Sequence, residues 1–144
     1  MSTENYLVPT RAIVTTSLQV HENRGTRLSI QLIAKALEAE WKKNRIPFSL
    51  LSFQAGRTNS FQEKGIHYVC FGRLVITLLP HNYLDDEHRL EMYDLLERLR
   101  YPVGMLLAFG GRRLLAERIF APDHTSPVTN RQTSYGRMMQ KTGR

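Results

Sequence analysis

Apolar side chains at Leu28, Leu32, Ile33, Ala36, Leu37 and Trp41 recur at spacings of three and four, which predicts an amphipathic helix over about residues 27–44. Lys35, Glu38, Lys42 and Lys43 fall off that stripe, and Ile46-Pro47 turns the chain out of the helix. Phe48 to Phe53 reads as a strand, and Gly56 to Lys64 as a polar loop. The pattern then changes. Residues 66–79, Ile-His-Tyr-Val-Cys-Phe-Gly-Arg-Leu-Val-Ile-Thr-Leu-Leu, form two β-branched and aromatic runs around a Gly-Arg turn, the signature of a tight hairpin.

Three acids, Asp85, Asp86 and Glu87, open a second helix that runs to about Leu99 with Leu84, Met92, Leu95, Leu96 and Leu99 on one side. Carboxylates there cap free amides and suit the positive end of the helix dipole, and three consecutive residues cannot all aim at one metal ion. Tyr101-Pro102 stops the helix. Val103 to Phe109 is apolar at almost every position, as in a strand buried on both faces, and Arg113 to Phe120 is a last strand. The first 26 residues read as an irregular arm, with a short edge strand after Pro9 and a loop over His21 to Gly25.

The expected fold is therefore a three-layer α/β (α+β) domain over residues 27–120. A central mixed sheet of about five strands is flanked by two helices, with an N-terminal arm (1–26) and a basic polar C-terminal tail (121–144).

Charge adds a partner question. The net charge is +7, and residues 121–144 carry Arg131, Arg137, Lys141 and Arg144 against Asp123. One sixth of the chain thus supplies nearly half of the excess, which suits nucleic acid, an anionic surface or an acidic protein. The candidate contacts are Lys35, Lys42, Arg112 and Arg113 in the domain, and Arg131, Arg137, Lys141 and Arg144 in the tail, with Tyr135 for stacking. A single cysteine, Cys70, excludes an internal disulfide and fits a reducing, cytoplasmic setting. No apolar run reaches the ~20 residues that span a bilayer, so any membrane association would be peripheral. There is no metal-ligand spacing of Cys and His, no phosphate-binding glycine loop and no nucleophile elbow. His88, in the first turn of the second helix, reads as a surface or half-buried histidine.

Residues 27–120 resemble the GxxExxY family, a branch of the PD-(D/E)XK nuclease-like superfamily. The segment ALEAEWKKNRIPF resembles the close of that family's first helix. HRLEMYDLLERLRYPVGMLLAFG resembles its second helix and following strand, and RRLLAERIF its last strand. The resemblance implies where the family's functional residues would fall. Its name-giving glutamate and tyrosine correspond to Ile30 and Ile33, and its metal-binding aspartate to His67. Its second acid and lysine correspond to Thr77 and Leu79, and the glutamine of its second helix to Glu91.

None of these positions keeps the family residue. Mg²⁺-dependent cleavage needs carboxylates on the metal and a lysine near the developing charge. Thr77 and Leu79 offer neither. His67 suits a softer metal, but Cys70 is three residues away on the same strand and so on the opposite face. The expectation is a nuclease-like fold with no catalytic residues, no metal and no cofactor. It would act as a non-catalytic accessory subunit of a larger protein complex, docking through its sheet domain and terminal arms. The alternative is a module that binds nucleic acid without cutting it.

Overall fold

A computed structural model describes residues 4–24, 29–51 and 65–122. The elements are helices α1 (Glu4–Arg24) and α2 (Ile30–Lys43), strands β1 (Phe48–Leu50), β2 (Ile66–Cys70) and β3 (Leu74–Leu79), helix α3 (Asp86–Leu99), and strands β4 (Val103–Ala108) and β5 (Leu115–Phe120). The five strands make one sheet in sequence order. Neighbours are antiparallel except β3 and β4, which run parallel because α3 crosses over between them. Three layers result: α1 and α2 on one face, the mixed sheet, and α3 on the other.

The alternation of side chains along the central strands sorts the core into two halves. Tyr68, Cys70, Leu74, Ile76, Leu78, Val103, Met105 and Leu107 face α1 and α2, where they meet Ile13, Leu37 and Trp41. Val69, Val75, Leu79, Leu106, Ala108 and Ile119 face α3 and meet Met92, Leu95 and Leu96. Every residue of β3 and β4 is buried, as the continuous apolar run at 103–109 requires. Gly104 lets α3 lie close on β4: a Cβ there would come within 2.5 Å of Met92 Sδ.

The predicted helices and strands from residue 29 onward stand where the hydrophobic pattern puts them. Ser29 caps α2, and its hydroxyl accepts from the Leu32 amide at 3.3 Å. Asp85 caps α3, accepting from the His88 amide at 3.1 Å, which is the capping role read from its sequence. The hairpin turns at Phe71 and Gly72, both at positive φ. The polar loop around Gly56–Lys64 lies outside the described residues.

The N-terminal segment corrects the sequence reading. Residues 4–24 form a 21-residue helix, not an irregular arm with an edge strand. Its inward stripe, Thr10, Ile13, Thr16, Ser17, Val20 and His21, has helical spacing but is mostly polar, so no apolar periodicity announces it. The β-branched run Ile13 to Thr16 and Pro9 inside the helix both argue locally against a helix. Packing overrides them. Ile13 is fully buried, Trp41 Nε1 donates to Thr16 Oγ1 at 3.2 Å, and His21 Nε2 donates to the Gly111 carbonyl at 2.8 Å. That last bond ties the C-terminal end of α1 to the loop after β4.

Candidate functional site

Cross-strand register builds the site. His67 of β2 stands directly opposite Thr77 of β3, and Thr77 stands beside Leu106 of β4. Directly paired residues share a face, so these three side chains form a row beneath α3. Leu79 lies two residues along the same face. Helix α3 covers the row with His88, Glu91, Met92 and Leu95, a spacing of three, one and three that keeps all four on one side of the helix. Together these residues line a cavity of about 10 Å³. That volume is at the lower limit for a single water molecule.

Inside the cavity, His67 Nδ1 and Thr77 Oγ1 are hydrogen-bonded at 2.8 Å. Both side chains are buried. Burial pushes the His67 pKa down to about 4, so the imidazole is neutral at physiological pH. Burial also pushes His88 below the ordinary histidine value, partly offset by the Asp85 carboxylate. His88 Nδ1 accepts from the Asp85 backbone N–H at 3.2 Å, completing a reciprocal cap. The ring of His88 packs edge-on against His81, with centroids 4.7 Å apart.

Four residues that the resemblance places at functional positions, His67, Thr77, Leu79 and Glu91, therefore sit around one cavity. The name-giving positions do not join them, since Ile30 and Ile33 lie on α2 across the sheet. Cys70 faces the α1/α2 core, opposite His67, and burial pushes its thiol up to about 12. It is an unreactive core thiol.

The cavity's chemistry does not fit a hard divalent cation. Glu91 is its one carboxylate, His67 and Thr77 are engaged with each other, and Leu79 is apolar. Among the described residues, no group of three or more His, Cys, Asp or Glu side chains is placed to hold a metal ion. The arrangement can pack and hydrogen-bond.

Sequence reasoning missed His88, which falls four residues before Met92 and so belongs to the apolar stripe of α3. Its burial was legible from that spacing. The sequence reading also did not reach Arg89, which pairs with Asp86 and reaches Glu117 on β5 at 2.7 Å.

The charge candidates are dispersed. Lys35 and Lys42 are exposed on α2, whereas Arg112 and Arg113 are exposed in the loop that follows the C-terminal end of β4. Strand order and direction put Lys42 and this loop at opposite ends of the sheet. Arg131, Tyr135, Arg137, Lys141 and Arg144 lie outside the described residues. Among the described residues, no helix is long and apolar enough to cross a membrane. Comparison with protein-family models, with curated proteins and with solved structures finds no match to this chain.

Proposed function

We propose that this chain is a non-catalytic accessory subunit, built on a nuclease-like sheet whose site has become packing, and that it docks onto a larger protein assembly. The observation that carries the reading is the His67–Thr77 pair. The two side chains at the positions of a metal-binding aspartate and its partner acid hydrogen-bond each other in a cavity no larger than one water. A neutral, buried imidazole and a hydroxyl supply no charge to a metal or to a phosphoryl group, and Leu79 replaces the lysine that would stabilise developing charge.

The reading draws support from a mixed sheet reached through a helix, three antiparallel strands, a crossover helix and a parallel strand. The docking role has a direct test. Tagged protein is recovered from its native cells with and without nuclease treatment of the lysate. Stoichiometric protein partners that survive nuclease and high salt are the expected result. Recovery of the chain alone, or of partners that all vanish on nuclease treatment, would overturn it.

The second reading, a module that binds nucleic acid without cleavage, is favoured by a different observation. The exposed basic residues at the N-terminal ends of β3 and β4 are gathered by the fold from three separate segments.

A further inference from the structure

The end of the sheet remote from the cavity collects positive charge from segments far apart in sequence. The amide of Phe71 in the β2–β3 turn bonds the Pro47 carbonyl at 2.9 Å, which brings the exit of α2 beside the hairpin tip. Leu74 pairs with Val103, and Val103 with Phe120, which sets the hairpin tip beside the end of α3 and the end of β5. Lys42, Lys43, Arg45, Arg73 and Arg100 all belong to this end, and all five are exposed.

Two of these arginines, Arg45 and Arg100, are left-handed, at φ 60° and 64°. Glycine or asparagine is the usual choice in that conformation, so the basic side chain is kept where the backbone does not favour it. The helix dipoles account for Lys42 and Lys43, since cations suit a helix C-terminus.

Aromatic side chains also stand at this end, with Phe71 packed partly against the α1/α2 core and Tyr101 partly against the α3 core. Phe71 and Tyr101 are half-buried, and Phe120 is 39% exposed. In sequence, Glu40 on α2 and Asp94 and Glu97 on α3 precede these cations by two to six residues, and Asp94 pairs with Arg98. The chain also leaves the sheet here: the Ala121 amide bonds the Pro102 carbonyl at 2.8 Å, and the residues that follow carry four further basic side chains against one aspartate.

We propose that this end of the sheet, Lys42, Lys43, Arg45, Arg73 and Arg100 with Phe71, Tyr101 and Phe120 among them, is a binding surface for the phosphate backbone of nucleic acid. The inference rests on the second reading above and gives it a location. Cations at one end of the sheet with partly exposed aromatic side chains suit a sugar-phosphate strand with bases available for stacking better than they suit an acidic protein, which needs charge alone. The location is not that of the degenerate site. Six residues of β3 and its turn separate Arg73 from Leu79, roughly 20 Å along an extended strand.

The test is fluorescence anisotropy of labelled single- and double-stranded DNA and RNA oligonucleotides against the full chain, at salt from 50 to 200 mM. Three proteins are compared: wild type, the triple variant Lys42→Gln/Lys43→Gln/Arg73→Gln, and the opposite-end variant Arg112→Gln/Arg113→Gln. Circular dichroism confirms that each is folded, as exposed positions allow. The expected result is wild-type binding whose log–log salt slope falls by about three in the triple variant and is unchanged in the opposite-end variant. Equal losses in both variants, or no change in the triple variant, would overturn the location and leave the nucleic-acid reading standing. Absence of binding to any oligonucleotide at 50 mM salt would overturn both. Displacement by a poly-glutamate peptide as effective as by an oligonucleotide of equal charge would also overturn the proposal, because the surface would then read charge only.

Discussion

Polar side chains are buried on both faces of the sheet, but they are arranged differently. On the α1/α2 face they are spread along one helix, and most are used to fasten it. Thr16 bonds the Ala12 and Ile13 carbonyls and receives the Trp41 indole, and His21 ties α1 to Gly111. On the α3 face, His67, Thr77, His88 and Glu91 come from three elements and converge on one cavity. The first pattern is that of a scaffold, in which each polar group supports a neighbour. The second gathers polar side chains at one point, with Glu91 the one carboxylate among them. Convergence alone does not make chemistry: residue type decides it.

The largest expected effect is on the scaffold face. Trp41 is fully buried, contacts Phe48 and Tyr68 ring to ring, and holds Thr16. Trp41→Ala should cost about 4 kcal/mol in urea unfolding. A cost below about 1 kcal/mol would mean that α1 and α2 do not pack on the sheet as described.

On the cavity face the next effect is pH-dependent. The folded pKa of His67 is about 4 against 6.5 unfolded. Below pH 6.5 the unfolded chain takes a proton that the folded chain refuses, so this contribution is complete above pH 6.5 and is lost as the pH falls towards 4. The loss is ~3 kcal/mol at most. In His67→Gln, which keeps a partner for Thr77, that part of the fall should disappear from unfolding curves taken between pH 6.5 and 4. An unchanged pH profile would show that His67 is not buried as a neutral ring.

Arg89 sharpens the contrast between a polar group that fastens and one that does not. It is 3% exposed and bonds Glu117, which is 27% exposed, and the Leu84 carbonyl. Arg89→Met should lower stability by ~2 kcal/mol, less than for a fully enclosed pair because Glu117 keeps contact with water. The smallest effect has the opposite sign. Ser17 Oγ is enclosed with no hydrogen-bond partner among the described residues, so Ser17→Ala should raise stability by ~1 kcal/mol. A loss of that size would point to a partner for the hydroxyl.

The sheet and two of the helices were legible because their signals agree at every level. The apolar stripe of α2, the alternation and turn of the hairpin, the cap at Asp85 and the continuous run at 103–109 each have the spacing of the element they form. Helix α1 was not legible. Its inward stripe is Thr, Ser and His, and its hydrogen bonds to Trp41 and Gly111 come from residues 25 and 90 positions away, which no local pattern carries. The positions around the cavity came from the resemblance, and the register of β2 and β3 shows His67 and Thr77 side by side. The basic end was hidden for the same reason as α1. Arg45, Arg73 and Arg100 are isolated charges in the sequence, and only strand pairing collects them.

The central claim, that the converged positions form packing and not a catalytic centre, is tested most directly by a cleavage assay. Purified full-length protein is incubated with plasmid, linear duplex and single-stranded DNA and RNA, in Mg²⁺ or Mn²⁺, beside His67→Ala and Thr77→Ala. The account predicts no cleavage by any of the three proteins. Metal-dependent cleavage by the wild type that either substitution abolishes would contradict it.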